Sequence, residues 1–231
     1  MPTALVTGAN RGLGLEWTRQ YLAAGWRVIA TCRHPESADA LRQTVAGHGQ
    51  AHVCRLDVTS VQDLRSLQMD LETEPIDVLL NNAGVYLDKF DPGLGGLHFD
   101  AWERSFAVNT LGPARVTEAF LDNVARSERR LVVAITSHMG AIAEITSPGA
   151  YAYRASKAAL NAVMKGMSLE LMARGVGVLL LHPGWVKTRM GGPEGPLSPQ
   201  QSVTGMRELV ERFHLEQTGA FLRYNGTRIP W

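Results

Sequence analysis

Short apolar runs alternate with longer amphipathic stretches from one end of the chain to the other. Residues 3–7, 27–31, 52–56, 76–81, 131–136 and 176–182 form brief apolar runs with β-branched content. Several are nearly continuous in apolar character rather than alternating, the pattern of strands covered on both faces. Between them, residues 13–24, 37–46, 61–72, 100–125 and 153–173 read as helices, and 198–213 as a last one. In the third, Val61, Leu64, Leu67 and Leu71 recur at helical spacing and predict one buried stripe. Gly25, Gly47, Pro75, Gly175 and Pro183 punctuate the junctions. The repeated β-α order predicts an α/β fold, a single-domain Rossmann-type doubly wound parallel sheet of about seven strands with helices on both faces. No linker or shift in composition divides residues 1–231. The tail 219–231 predicts a final strand anchored by Phe221, Ile229 and Trp231. Two loops without evident structural duty, near 85–98 and 189–200, are expected to wall a binding site.

Composition narrows the function classes. Over 231 residues, 45% are hydrophobic and 19% charged, the balance of an ordinary globular domain. Lys and Arg number 23 against 22 Asp and Glu, so no basic field recommends nucleic acid as a partner. The longest uninterrupted aliphatic run, 178–181, is far short of a membrane span. Met1-Pro2-Thr3 enters an apolar stretch with no charged leader, and Cys32 and Cys54 form no CxxC pair. A cytoplasmic location is therefore expected. His48 and His52 lie beside Gly47 and Gly49 in a turn and read as surface residues, so no metal is expected.

The first strand ends in Thr7-Gly8-Ala9-Asn10-Arg11-Gly12-Leu13-Gly14 and passes at once into a helix. Glycines at such a junction let the backbone approach a phosphate, and the helix start attracts its charge. The spacing is G-x3-G-x-G, and no G-x4-G-K-[ST] occurs in the chain, which excludes a P-loop. An NAD enzyme usually places an acid after its second strand to hold the ribose hydroxyls. Here that strand closes with Thr31-Cys32-Arg33, while Arg11 sits within the glycine loop. Two guanidiniums suit a 2′-phosphate and point to NADP(H) over NAD(H). Asp57, after the third strand, lies where a carboxylate could accept from an adenine amine.

Tyr153 and Lys157 are four apart on a long helix, so phenol and ammonium can share one site. A nearby ammonium is expected to pull the phenol down toward neutral pH, as proton exchange requires. Ser137 closes the fifth strand, at the edge where open α/β sheets collect ligands, and its hydroxyl could bind a carbonyl oxygen. A Ser-His hydrolase is disfavoured, because adjacent His138 points elsewhere and no G-x-S-x-G elbow occurs. Asn82-Ala83-Gly84 closes the fourth strand, and Asn109 is polar within an apolar helical stretch. Tyr151 reads as packing or substrate wall. Tyr86, Phe90, Leu94, Trp185 and Met190 line a pocket or close the core, two readings that stay open.

Five elements in chain order, the Thr7–Gly14 turn, Asn82-Ala83-Gly84, Asn109, Ser137 and Tyr153-x3-Lys157, resemble the short-chain dehydrogenase/reductase family over essentially the whole chain. "LNNAGV", "FAVNTLGP" and "YAYRASKAALN" are most similar to sniffer-type carbonyl reductases and C-factor-like bacterial members. The resemblance implies that Gly8, Asn10, Arg11, Gly12, Leu13 and Gly14 cradle the cofactor phosphates, with Arg33 near the adenosine end. It implies Asp57 and Val58 beside adenine, and Asn82, Ala83 and Gly84 beside the ribose and nicotinamide. Pro183, Gly184, Val186 and Thr188 would pack against nicotinamide. Tyr153 would be the acid/base, Ser137 would orient the carbonyl oxygen, Lys157 would bind the ribose, and Asn109 would hold a water linking Lys157 to solvent. The implied activity is NADP(H)-dependent reduction of an aldehyde or ketone, in a homodimer or homotetramer. An alcohol dehydrogenase working oxidatively, or a cofactor-binding signalling protein with vestigial turnover, remain the alternatives.

Overall fold

The apolar runs become strands because both of their faces are covered. In the computed structural model, which describes residues 1–91 and 93–231, β1 (Thr3–Thr7), β4 (Val78–Asn81), β5 (Leu131–Ile135) and β6 (Gly177–His182) are buried at every position. With β2 (Arg27–Cys32), β3 (Ala51–Arg55) and β7 (Ala220–Arg223) they form a seven-stranded sheet of order β3-β2-β1-β4-β5-β6-β7. Every pairing is parallel, β1 running in register with β2 from Thr3 against Arg27 and with β4 from Ala4 against Val78. Strand order reverses between β1 and β4, the switch point at which doubly wound sheets open a ligand crevice beyond the carboxyl ends of the strands.

Alternate side chains feed two cores, one on each face. Val6, Val28, Val133 and Leu181 meet Trp17 and Tyr21 of α1 (Gly12–Ala23) and Val203 and Met206 of α8 (Pro199–Glu211). Leu5, Ile29, Leu79 and Leu180 meet Leu64 and Leu67 of α3 (Val61–Asp70) and Leu160 and Met164 of α7 (Tyr151–Met172). The short α2 (Asp39–Val45) contributes only Leu41 to burial. Among the stripe expected on α3, Leu64, Leu67 and Leu71 are buried, but Val61 is exposed because it begins the helix, behind its Ser60 cap. Phe221 and Ile229 anchor the tail as expected; Trp231 instead lies half on the surface, against the Phe221 ring.

The helix expected over 100–125 is not continuous. It divides into α4 (Phe99–Phe106), a π-turn at Ala107–Leu111, α5 (Gly112–Ala119) and α6 (Leu121–Ala125). Pro113 explains the first break. It has no N–H to give the carbonyl of Asn109 four residues back, and its ring crowds that carbonyl, so the backbone widens there. The π-turn packs against α7 and delivers Asn109 to the carboxyl edge of the sheet.

Candidate active site

Four strand ends and the start of α7 enclose the crevice. The glycine loop after β1 is built for close approach. Gly8 has φ +67, and a Cβ there would lie 3.0 Å from Ala83 Cα; a Cβ on Gly14 would lie 2.3 Å from the Gly8 carbonyl oxygen. Thr7 and Asn82 tie this loop to the end of β4. The Thr7 hydroxyl accepts from the backbone N–H groups of Asn82 and Ala83 (2.9 and 3.0 Å), and Asn82 Nδ2 donates to the Thr7 carbonyl at 2.8 Å. Asn82 is therefore spent on bracing the loop, and the open edge is left to backbone. Thr188, beyond β6, closes the far side, its Cγ2 3.6 Å from the position of a Cβ on Gly12. The result is a glycine turn at which the backbone is packed too closely for added side chains at Gly8 and Gly14, a junction that fits a pyrophosphate.

Positive charge gathers beside the glycine loop. The Arg11 guanidinium is pushed down from its ordinary value by partial burial, and then by the neighbouring charges of Arg189 and Arg33. Arg189, from the loop after β6, was not legible as a site residue; its only signal is proximity in space. Asp57 folds back on its own turn, accepting from the Thr59 N–H at 2.9 Å and the Thr59 hydroxyl at 2.7 Å. Val58 is buried against Gly112, so it offers a ligand backbone rather than side chain.

At the chemical end, Ser137, Tyr153 and Lys157 converge and all three are buried. Lys157 Nζ donates to the Ile135 carbonyl at 2.9 Å and stands 6.0 Å from the centre of the Tyr153 ring. Burial lowers its amine to about 8. Tyr153 departs from expectation. Instead of being lowered by Lys157, the phenol is pushed up to about 12, because burial outweighs the opposing hydrogen bond with Ser137, and Tyr86 and Asp88 add to the rise. In this water-poor crevice the cost of burying a phenolate is larger than what one distant ammonium returns. The amide of Asn109 is fully engaged. Its Oδ1 accepts from the Val85 N–H at 2.8 Å, and its Nδ2 donates to the Val85 carbonyl at 2.9 Å and to Ser156 Oγ at 3.0 Å. The side chain is a clamp; what Pro113 leaves without an α-helical partner is the backbone carbonyl. Gly84 keeps this corner open, since a Cβ there would lie 3.3 Å from Asn109 Oδ1 and 3.7 Å from Lys157 Nζ.

Of the two readings open for the loop residues, the structure counts against core closure. Tyr86 stacks on the Tyr153 ring, with centroids 4.3 Å apart. Phe90, Leu94 and Trp185 are exposed, so they close no core. Pro92, within the same loop, lies outside the described residues. Tyr151 helps to line an apolar hollow of about 640 Å³ with Trp102, Ile142 and Ile145. Among the described residues no three His, Cys, Asp or Glu side chains are grouped to hold a metal, and no helix is long and apolar enough to cross a membrane.

His182, at the end of β6, gives a test of the site's dryness. It is 6% exposed, its ring lies 4.7 Å from that of His138, and its Nδ1 has no hydrogen-bond partner among the described residues. Burial, followed by the charges of His138 and Arg223, lowers it to about 3. The unfolded chain takes up this proton near pH 6.5 and the folded chain does not, so stability present above 6.5 is lost as pH falls toward 3. Thermal unfolding from pH 7.5 to 4 should show a falling Tm whose slope is reduced in His182→Gln. Equal slopes in the two proteins would contradict the buried neutral ring.

Comparison with known proteins places this geometry. A family model described as short chain dehydrogenase matches residues 2–196. The C-signal protein of Myxococcus xanthus is 44% identical over 168 residues, covering 73% of this chain and 100% of that protein. The carbonyl reductase Sniffer of D. melanogaster superposes with a TM-score of 0.94 at 30% identity, covering 100% of both chains. The NADPH-bound carbonyl reductase from chicken fatty liver gives 0.91 at 29% identity, over 100% of this chain and 99% of that one.

Proposed function

The chain belongs to the short chain dehydrogenase family, and from that premise we propose that it is an NADP(H)-dependent reductase of aldehydes or ketones. The observation that carries this reading is the convergence of Ser137, Tyr153 and Lys157 beside a closely packed glycine turn. The carbonyl reductases among the similar structures support it.

The bound nicotinamide would supply the hydride. Gly8, Asn10, Gly12, Leu13 and Gly14 would hold the pyrophosphate; Arg11 and Arg33 would hold the 2′-phosphate; Asp57 and the backbone of Val58 would border adenine. Ala83, Gly84, Pro183, Gly184, Val186 and Thr188 would enclose the nicotinamide half, with Asn82 bracing the loop behind it. Ser137 Oγ donates to the substrate carbonyl oxygen and fixes its position. Tyr153 delivers the proton to that oxygen as negative charge develops, and a phenol held above its ordinary value is protonated and ready to do so at neutral pH. Lys157 binds the ribose and passes a proton to Tyr153. With the Asn109 side chain clamped on Val85, its carbonyl is the group left to hold the water that connects Lys157 to solvent.

Following NADPH absorbance with a panel of aldehydes, ketones and quinones tests the reading. Steady oxidation of NADPH by at least one of them is expected, with slower turnover of the matching alcohol at neutral pH. Tight NADPH binding with no turnover across the panel would overturn it.

A further inference from the structure

The loop after β4 carries an acid that the scheme above does not use. Asp88 is 3% exposed, buried without a basic partner in hydrogen-bond reach among the described residues. Its Oδ2 accepts from the Ala152 N–H at 2.7 Å, and its Oδ1 from the Tyr153 N–H at 3.2 Å. These are first-turn amides of α7, donors that a helix cannot satisfy internally, at the positive end of its dipole. The helix provides no cap of its own. Ala150, at the N-cap position, has φ 53 and no side chain to accept with. The cap therefore arrives from 64 residues away in sequence. Two positions earlier in the same segment, Tyr86 lays its ring on that of Tyr153 at an interplanar angle of 20°. One short stretch of loop thus grips Tyr153 by both main chain and ring.

The grip has an electrostatic side. Uncapped amides and a helix dipole at this point would favour a phenolate on Tyr153; a carboxylate seated on them cancels that field. The groups facing the phenol are few. Ser137, from the segment after β5, favours its ionisation, while Tyr86 and Asp88, from the β4 loop, both oppose it. Lys157, on α7 itself, stands 6.0 Å from the ring, and Arg154 acts on Tyr86.

Resting on the reductase reading, we propose that Asp88 is a positioning residue. By capping α7 from the β4 loop it fixes Tyr153 against Tyr86 and adds its charge to the burial that holds the phenol in its proton-donating form. Ordinary capping for stability accounts for the bonds to the Ala152 and Tyr153 amides, but it does not need the ring contact with Tyr86.

The experiment uses the full chain with NADPH bound, in wild type, Asp88→Asn, Asp88→Ala and Tyr153→Phe. Phenolate absorbance is titrated with pH, and Tyr153→Phe introduced into wild type and into each Asp88 variant supplies the difference that isolates Tyr153. Rates with benzaldehyde and benzyl alcohol as probes are followed over the same range. An Asn can still accept from an amide, so Asp88→Asn should keep its Tm within a few degrees and bind NADPH within about threefold, yet ionise Tyr153 about half to one pH unit lower. Asp88→Ala loses cap and charge together, and kcat should fall about tenfold or more with little change in KM, as a misplaced acid requires. Coincident Tyr153 titrations in wild type and Asp88→Asn would overturn the proposal, whatever happens to Tm. Full activity in Tyr153→Phe would instead overturn the reductase reading on which it rests, so the two failures are distinguishable.

Discussion

Tyr153→Phe should bind NADPH within about threefold of wild type and lose at least about a thousandfold in carbonyl turnover, the upper part of the range for removing a positioned general acid. The substitution deletes one oxygen from a side chain that is 8% exposed. The ring keeps its stacking on Tyr86, and the backbone N–H keeps its bond to Asp88, so the helix start stays where it is. What disappears is the proton donor beside Ser137. Water is a poor substitute, because the crevice around Tyr153 and Lys157 is nearly closed to solvent. Fluorescence titration with NADPH and single-turnover NADPH oxidation separate binding from chemistry. Turnover within tenfold of wild type would remove Tyr153 from the reaction.

The raised phenol and the lowered Lys157 amine belong together. Both move toward their neutral forms because both are buried, and neither has an opposite charge close enough to reverse the trend. A site prepared in this way has a phenol ready to give its proton and an amine at about 8 ready to restore it. That division suits carbonyl reduction better than alcohol oxidation, which needs the phenolate first.

Periodicity and motif order made the sheet, the glycine loop and the Tyr153–Lys157 pair legible, because each is a local consequence of residue type. Runs such as Leu131–Ile135 have no other way to bury both faces, and a four-residue spacing on a helix fixes a shared side. Three features escaped for physical reasons that lie outside any local window. The helix expected over 100–125 reads as continuous from its apolar spacing, but Pro113 and the packing on α7 break it at Asn109. The direction of the Tyr153 shift depends on burial, which the Lys157 spacing does not report. Asp88 and Arg189 are single charged residues in loops, and a loop charge looks the same in sequence whether it is solvated or seated on a distant helix. Only the folded chain places Asp88 on the amide of Tyr153.

Removing the charges of the adenosine side should reverse the cofactor preference. In Arg11→Ala/Arg33→Ala, kcat/KM with NADPH should fall about a hundredfold to a thousandfold, the effect of two lost charge-assisted bonds after solvent screening, while the NADH value stays within threefold. The charges of Arg189 and Arg33 bear on Arg11, and a dianionic phosphate is the ligand that turns this repulsion into attraction. The first acid beyond β2, Glu36, lies against His34 at 3.4 Å, three residues past Arg33, so the strand end presents a guanidinium where a ribose-binding carboxylate would otherwise stand. Because these side chains are exposed, the NADPH preference should also weaken as ionic strength rises in wild type and hardly change in the double variant. The single variants need not add, since each leaves the remaining guanidiniums less repelled and better able to take the phosphate. Equal losses with both cofactors would assign the arginines to the pyrophosphate, common to the two dinucleotides, and end the case for NADP(H).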